Sequence, residues 1–374
     1  MNLPTALTRL ALCSLPILVG CGEQVTSSKP FEGTNLLFVT VDTLRADHLS
    51  LYGYSRATSP NLDRFGEQSV VFENATAQTS WTLGSLASLM SSQWVGQLNV
   101  RDFRSRVSES VVTLAEVLRG VGYETAAVGT HLVFLEKYGL RQGIDQFDDD
   151  LVLSDYRDSH RAITSKQVTE KALTWLGERR SSEQVQPWFL WLHYFDPHIP
   201  YLKHPGLVSP FGTGVRDRYD GEIVFTDAQV GRVLDFVGES TTPTVVVFTA
   251  DHGEEFNDHG GKEHGHTLYQ ELLHVPLLIR APGLSPRRVP GRVGLVDVMP
   301  TVLALLEISD SNQPAGLVGR SLLPEMNGEI VDPAPNLSEL RLRDHTNVDA
   351  LISGRWKLIV PRNTEVPELY ELDS

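Results

Sequence analysis

The sequence predicts an α/β protein with a mainly parallel sheet flanked by helices and a small antiparallel appendage at the C-terminus. Short runs of β-branched and apolar residues, such as 35–41 and 244–250, are typical of strands buried on both faces. Segments with one apolar helical face alternate with these runs, which favours parallel strands joined by helices. After residue 347, short strand-like runs follow one another without helices, and these indicate the appendage.

The composition is that of a globular chain large enough for one large domain or two modest ones. Its 374 residues are 41% hydrophobic and 21% charged, and 32 basic against 47 acidic residues give a formal net charge of −15. A nucleic-acid groove needs clustered Lys and Arg, so we expect no nucleic-acid partner. An anionic substrate stays compatible with this charge, because a bound cation can invert the local field.

The first twenty residues have the pattern of a bacterial lipoprotein signal peptide (1–20). Arg9 precedes an apolar run over 10–19, and the chain then reads Leu-Val-Gly before Cys21. This ending is similar to a lipobox, in which Cys21 becomes the lipidated first residue. A plain signal peptide or a membrane anchor is the alternative, although the run is short for a bilayer span. We expect an exported protein, lipid-anchored to the cell envelope on its periplasmic or outer face, with 21–33 as a flexible tether.

Two of the strand-like runs end on an acidic residue. Asp42 follows the run 35–41, and Asp251 with His252 follows the run 244–250. The carboxyl ends of parallel strands meet at one rim of a sheet, so both carboxylates are expected there. Either aspartate alone is explained as well by capping of the next turn. The pair together with His252 predicts a divalent-metal site.

A third candidate, Thr82, is predicted at or next to the N-cap of a helix. Apolar residues recur at helical spacing after it, from Leu83 to Met90. Free backbone N–H groups and the positive end of the helix dipole favour an anion at such a position. A simple helix cap is the alternative.

Polar residues also follow the other predicted strands, which places further candidates at the same rim. His131 follows a turn and strand over 122–129, and His198 follows a strand over 187–193. The loop after His252 adds three histidines and a lysine. The remaining prediction comprises helices over 60–65, 111–119, 159–179, 217–237, 267–273 and 297–306, strands over 275–280, 348–353, 356–360 and 368–372, and a linker over 308–338.

Eight segments, taken in order, resemble the sulfatase-like branch of the alkaline-phosphatase superfamily. They are Val41-Asp-Thr-Leu-Arg-Ala-Asp-His-Leu49, Ser59-Pro-Asn-Leu-Asp-Arg-Phe65, Ser80-Trp-Thr-Leu-Gly-Ser-Leu-Ala-Ser-Leu89, Phe195-Asp-Pro-His-Ile-Pro-Tyr201, Tyr219-Asp-Gly-Glu222, Thr249-Ala-Asp-His-Gly253, Glu263-His-Gly-His-Thr-Leu-Tyr269 and Arg355-Trp-Lys-Leu358. The resemblance implies a catalytic domain of alkaline-phosphatase type over 34–335 and a small C-terminal sheet region over 336–374.

The resemblance also implies a metal centre with a covalent nucleophile. Asp42, Asp251 and His252 would be metal ligands, and Thr82 would be both nucleophile and fourth ligand. One divalent cation is expected. Carboxylate oxygens with one imidazole suit Mg²⁺, Mn²⁺ or Ca²⁺, and zinc stays an alternative because histidines are plentiful.

The remaining implied roles concern an anionic ester substrate. His198 would contact the substrate oxyanion, and His264 would assist the leaving group, with His266 as its alternative. Lys262, His266 and His131 would contribute further substrate contacts.

The chain departs from sulfatases at the nucleophile. Those enzymes carry Cys or Ser there, for conversion to formylglycine, followed by Pro and Arg, whereas this chain has Thr82, Gly84 and Leu86. A second acid usually follows the first metal aspartate, and here that residue is Thr43. Threonine cannot be converted, so phosphoester or phosphodiester cleavage is favoured over sulfate ester cleavage. A phosphoglycerol-type transferase of the envelope and an inactive sulfatase-like lipoprotein are the alternatives.

Overall fold

The computed structural model describes residue 1 and residues 33–102, 104–153, 155, 162–181, 186–204, 211–342, 347–362 and 366–372. Nearly all of the predicted signal peptide, Cys21 and most of the tether lie outside the described residues, so the lipid anchor stays a prediction. Within the described ranges, no helix is both long and apolar enough to cross a bilayer.

The main sheet has eight strands, and a two-stranded ribbon lies beside it. In chain order the strands of the main sheet are β1 (Asn35–Val41), β2 (Val70–Thr76), β3 (Glu124–Val128), β4 (Gln146–Asp148), β5 (Trp188–Tyr194), β6 (Thr244–Ala250), β9 (His274–Arg280) and β10 (Arg287–Gly294). The ribbon consists of β7 (Glu255–Phe256) and β8 (Lys262–Glu263). The order across the main sheet is β10-β2-β9-β6-β1-β5-β3-β4. Only β9 runs antiparallel to its neighbours, so the prediction of a mainly parallel sheet is confirmed.

The central strands form where the sequence predicts them, because their residues suit a surface covered on both faces. All seven residues of β1 and all seven of β6 are buried. The edge strand β10 was not predicted, since Arg-Arg-Val-Pro-Gly-Arg has the composition of a loop. It nevertheless pairs with β2, with a shift of register between Val289 and Arg292 that accommodates Pro290 at the sheet edge.

Two groups of helices flank the sheet. The helices are α1 (Pro60–Gly66), α2 (Thr82–Ser91), α3 (Val95–Leu98), α4 (Leu114–Gly120), α5 (Ser165–Arg180), α6 (Val215–Gly238), α7 (Gln270–Leu273), α8 (Val298–Leu305) and α9 (Leu323–Met326). Helix α6 packs on α1 and α5, while α2 packs on α4 and α8.

Three helices, α4, α5 and α7, begin three or more residues later than the sequence predicts, and side-chain caps explain the first two differences. Helix α4 starts after Thr113, whose hydroxyl accepts the Glu116 N–H while the Glu116 carboxylate accepts the Thr113 N–H. Helix α5 starts at Ser165, because Asp196 from the end of β5 accepts the N–H groups of Thr164 and Ser165. Residues 159–161 of the predicted helix lie outside the described residues.

The C-terminal appendage is an antiparallel sheet of four strands in sequence order, β11 (Asn336–Arg341), β12 (Asn347–Ser353), β13 (Trp356–Pro361) and β14 (Glu368–Glu371). Its existence was predicted, but β11 was partly read as linker. The predicted linker over 308–338 also contains α9. Strand β11 docks on the segment that leads into α2, where the Glu339 N–H donates to the Gln78 carbonyl at 2.7 Å and the Ser338 hydroxyl donates to the Ala77 carbonyl.

Candidate active site

The register of the central strands brings Asp42 and Asp251 together. Val41 of β1 lies opposite Ala250 of β6, so the two aspartates emerge side by side at the carboxyl end of the sheet. Both are fully buried. One oxygen of Asp251, Oδ1, accepts the backbone N–H groups of Thr43 (3.2 Å) and His252 (2.9 Å). The other oxygen, Oδ2, accepts no hydrogen bond within the described residues and faces the cluster.

A strained turn directly follows Asp42. Thr43 has φ of 55°, the left-handed region that a β-branched residue rarely adopts. The buried hydroxyl of Tyr219 holds this turn by donating to the Thr43 carbonyl at 2.7 Å and accepting the Arg45 N–H at 2.9 Å. The turn directs the Asp42 carboxylate toward the next residue of the cluster, Thr82.

Thr82 is the first residue of α2, as its sequence context predicted. Its Oγ1 lies 3.4 Å from Asp42 Oδ2 and 3.3 Å from His252 Nε2. One helical turn on, the Ser85 hydroxyl donates to the Asp251 carbonyl at 2.5 Å, which ties the start of α2 to the end of β6. Thr82 is 6% exposed, so the residue is almost completely buried.

His252 completes the cluster with a ring nitrogen that is set up to bind a cation. Its Nδ1 lies 2.9 Å from the Gly253 carbonyl, which can only accept, so the proton belongs on Nδ1. The lone pair of Nε2 therefore faces Asp251 Oδ2 at 3.4 Å and Asp42 Oδ1 at 3.8 Å. Gly253 is required here, since a Cβ would meet the Glu271 carbonyl oxygen at 2.0 Å.

The electrostatics of the cluster fit a divalent cation. Burial raises the pKa of Asp42 to about 7, and burial followed by the charge of Asp42 raises the pKa of Asp251 well above its ordinary value. Burial lowers the pKa of His252, so its imidazole is neutral. Asp42, Asp251 and His252 offer ligand atoms within 4.8 Å of one another. A cation between them would satisfy the carboxylate oxygens that accept no hydrogen bond.

Two further predicted histidines lie beside this cluster. The ring centroid of His264 is 4.6 Å from that of His252 and 4.9 Å from that of His198. The His264 Nδ1 is 2.9 Å from the buried carboxylate of Glu254, which the Tyr201 hydroxyl also contacts. Burial alone would lower the pKa of His264, but the negative charge of Glu254 raises it to about 9. The protonated ring is therefore suited to donating a proton.

The other predicted substrate contacts are placed less centrally. The ring of His131 stacks on that of Phe195. The ring centroids of His131 and His198 are 6.2 Å apart. His266 Nε2 lies 2.8 Å from Glu255, so this ring is engaged away from His252. Lys262 lies exposed on β8, one residue before Glu263. The structure thus brings His264, rather than His266, to the cluster of Asp42, Asp251 and His252.

The sequence reading missed His193, which lies at the end of β5. The pairing of Thr40 with His193 in β1 and β5 places its fully buried ring beside Asp42, with Nε2 3.4 Å from Asp42 Oδ2. The Trp191 indole N–H donates to Thr40 Oγ1 at 3.0 Å, and Thr40 Oγ1 lies 2.8 Å from His193 Nδ1. Thr40 Oγ1 also donates to the Leu192 carbonyl at 3.3 Å, so the His193 ring has the Thr40 hydroxyl on one side and Asp42 on the other. A histidine within an apolar strand run was the available signal.

The two positions that differ from sulfatases have structural explanations. A Cβ at Gly84 would meet the Trp81 indole nitrogen at 2.8 Å, so the first turn of α2 packs closely on that ring. Leu86 is fully buried and belongs to the hydrophobic core.

A buried acid–imidazole cluster at the carboxyl end of a mainly parallel sheet, with a hydroxyl at a helix start, defines a hydrolase of the alkaline-phosphatase-like class. The Sulfatase family profile matches residues 34–308. This chain belongs to the sulfatase family.

Curated relatives with similar sequences are sulfatases. The N-acetylgalactosamine-6-O-sulfatase of Bacteroides thetaiotaomicron is 22% identical, with 97% of this chain and 92% of the relative covered. The iduronate 2-sulfatase of Homo sapiens is 24% identical, with 96% and 84% covered.

Solved structures share the fold. The phosphonate monoester hydrolase from Silicibacter pomeroyi superposes with a TM-score of 0.73 at 20% identity, covering 91% of this chain and 89% of the other. A 2-O glycosaminoglycan sulfatase superposes with a TM-score of 0.74 at 20% identity, covering 91% and 85%.

Proposed function

We propose that this sulfatase-family protein is a metal-dependent hydrolase that cleaves phosphate or phosphodiester esters in preference to sulfate esters, through a covalent Thr82 intermediate. The observation that carries the proposal is the position of the Thr82 hydroxyl, 3.4 Å from Asp42 and 3.3 Å from His252 at the start of a helix. No other described hydroxyl joins both halves of the acid–imidazole cluster in this way.

The reaction that this geometry supports is a displacement at phosphorus. The Thr82 hydroxyl gives its proton to Asp42 Oδ2, 3.4 Å away, and its oxygen forms a bond to phosphorus while the bond from phosphorus to the ester oxygen breaks. His264, oriented by Glu254, donates its proton to the departing oxygen. Water, whose proton His264 takes up, then displaces the Thr82 oxygen, which regains its proton from Asp42. His198 Nδ1 lies 2.8 Å from the Ile199 carbonyl and donates to it, which fixes the orientation of the ring beside His264. The N–H groups at the start of α2 stabilise charge on the non-bridging oxygens.

A cation held by Asp42, Asp251 and His252 would lower the pKa of the Thr82 hydroxyl and polarise the ester. The residues present favour Mg²⁺, Mn²⁺ or Ca²⁺ over a structural zinc, because oxygen donors predominate. Its identity is tested by activity measured across these four metals after chelation.

The preference for phosphorus rests on the nucleophile. Threonine has a methyl group on Cβ and cannot become the formylglycine on which sulfatases depend. The curated relatives are named as sulfatases, whereas one structural neighbour is named a phosphonate monoester hydrolase. These names support an anionic ester as substrate.

The test compares Thr82→Ala with Thr82→Ser on nitrophenyl phosphate, a nitrophenyl phosphodiester and nitrophenyl sulfate. We expect the alanine variant to lose at least about a thousandfold in kcat. The serine variant should keep measurable turnover, because it retains the hydroxyl. Activity of Thr82→Ala equal to that of the unchanged protein would refute the covalent mechanism.

An inactive protein is the second candidate, favoured by the buried Leu86 at the position where sulfatases carry arginine. It predicts metal binding without turnover on any of the three esters. A phosphoglycerol-type transferase is separated from a hydrolase by adding an acceptor alcohol and measuring ester product against free phosphate.

The lipid anchor at Cys21 and export to the envelope complete the proposal, on the strength of the signal-like N-terminus. Fractionation of cells producing Cys21→Ala tests them. The variant should leave the membrane fraction, and an unchanged distribution would contradict lipidation.

A further inference from the structure

A cleft of about 530 Å³ lies beside the leaving-group side of the site. One wall is Ile199–Tyr201, which directly follows His198, and another is Lys262 with Glu263, which directly precede His264. The first turn of α6 and Phe256 supply the remaining walls. This volume suits a ligand of one or two rings. The cleft is therefore the space next to a leaving group that His264 protonates.

Three of the six charged residues that line the cleft pair with another ionisable side chain. Arg216 pairs with Asp258 at 2.9 Å, and Asp217 pairs with Arg56 at 2.8 Å. The Glu255 carboxylate accepts two backbone N–H groups and contacts His266. These groups contribute little net field inside the cleft.

Two cations in the cleft lack such a partner. Among the described residues, no carboxylate lies within ion-pair distance of Arg218 or Lys262. Arg218 donates only a 3.3 Å bond from Nη1 to the Thr213 carbonyl, and its buried Nε has no hydrogen-bond partner in that part of the chain. Glu222, one turn further along α6, is buried, and burial raises its pKa well above its usual range. The lining holds three basic residues, Arg216, Arg218 and Lys262, and three acidic residues, Asp217, Glu255 and Glu263, so its formal charges balance. Arg218 and Lys262 are distinguished by having no described carboxylate within ion-pair distance.

The rest of the lining is apolar and aromatic. Phe256 packs against Tyr201, with 5.6 Å between ring centroids, and Val215 is 50% exposed at the mouth. Such surfaces bind the flat face of a ring, while guanidinium and ammonium groups bind an anionic substituent. The two features together describe one kind of ligand.

We propose that this cleft binds the leaving group of the substrate, and that this group is a ring bearing a second anionic substituent recognised by Arg218 and Lys262. The inference rests on the proposed function, since it adds the substrate class to that site. Neutral and cationic leaving groups gain nothing from the two free cations.

The experiment compares 4-nitrophenyl phosphate with a nitrophenyl phosphate that carries a ring carboxylate, using the full chain loaded with metal. We expect a higher kcat/KM for the carboxylated ester. Arg218→Gln and Lys262→Gln should each lower the ratio of the two kcat/KM values by about tenfold, the effect of losing one charge-assisted contact. Arg232→Gln is the matched control on α6, because it removes an exposed arginine paired with Glu170, and its ratio should not change.

A second measurement separates this inference from the proposed reaction. Calorimetry with the carboxylated nitrophenol alone reports binding without turnover. Binding that Arg218→Gln and Lys262→Gln weaken supports the inference even if no ester is hydrolysed. Unchanged ratios together with unchanged nitrophenol binding overturn it, while Thr82-dependent hydrolysis leaves the proposed function standing. Lys262 is exposed, so its substitution carries the test if Arg218→Gln fails to fold.

Discussion

At the scale of single residues, His193 is the buried imidazole next to Asp42. Its Nε2 lies 3.4 Å from Asp42 Oδ2. The bonds from Trp191 to Thr40 and from Thr40 to His193 fix the ring from behind. Groups that orient a metal-binding carboxylate affect metal affinity nearly as strongly as the ligands themselves.

We therefore expect His193→Phe to weaken divalent-cation binding by ten- to a hundredfold. Thr40→Val should produce a smaller loss of cation affinity, because it removes only the contact with His193 Nδ1 and leaves the ring in place. Calorimetric titration of the metal-free protein measures both. Thr125→Val is the control. This buried threonine of β3 donates to the Gly143 carbonyl, and the loss of that bond should affect stability alone. Equal affinities in all four proteins would show that His193 has no positioning role.

At the scale of elements, the small C-terminal sheet contacts the short helix that follows the histidine-containing loop 252–266. Lys357 of β13 is 1% exposed and donates from Nζ to Gln270 Oε1 at 2.7 Å. Gln270 begins α7, and the carbonyl of Leu272 in that helix accepts the N–H of Gly253, next to His252. A strand of the appendage is thus connected to a metal-cluster residue through one short helix.

The buried amine predicts a pH dependence of stability. Burial lowers the pKa of Lys357 from 10.5 to about 7. Between these values the unfolded chain binds a proton that the folded chain does not, so the free energy of unfolding rises with pH from about 7 to 10.5. Below pH 7 both states are protonated, and the cost of burying the charge is present in full.

Denaturant unfolding at pH 7.5 and 9.5 measures this effect. The unchanged protein should gain on the order of a few kcal/mol between the two values relative to Lys357→Met, which has no amine to titrate. The variant should also be the more stable protein at pH 7.5, provided that Gln270 finds water as a partner. Parallel pH profiles for the two proteins would contradict the prediction.

At the scale of the whole molecule, the sheet concentrates two buried acids at one point of its rim. Burial raises the pKa of both Asp42 and Asp251, and the charge of Asp42 raises that of Asp251 further. Without a cation, this carboxylate pair therefore tends to keep a proton. Metal binding would release that proton and stabilise only the folded state.

The thermal midpoint should consequently rise with divalent-cation concentration and fall after chelation. A thousandfold excess over Kd corresponds to about 4 kcal/mol of added stability. Scanning calorimetry with Mg²⁺, Mn²⁺, Ca²⁺ and Zn²⁺ measures the shift. Asp251→Asn should abolish it, whereas Asp235→Asn, at an exposed acid paired with Arg64, should leave it intact. A midpoint insensitive to all four cations would refute the metal site.

Much of the fold was predictable because local patterns and tertiary packing agree in the centre of the molecule. Strands β1, β5 and β6 consist mainly of apolar residues, and each is followed within two residues by an aspartate. The edges were not predictable in the same way. Strand β10 contains Pro290 and three arginines, and it becomes a strand only because β2 offers free backbone groups.

The sequence by itself determined which residues have the chemistry for this site: the acids after two buried strands, the hydroxyl at a helix start and the histidines of one loop. Side-chain type and strand order along the chain suffice for that, since both are written locally. Only the tertiary structure decided that His264 rather than His266 faces the cluster, that His193 lies beside Asp42, and that no described carboxylate lies within ion-pair distance of Arg218. Those facts depend on register, turn geometry and neighbours distant in sequence, which no local pattern encodes.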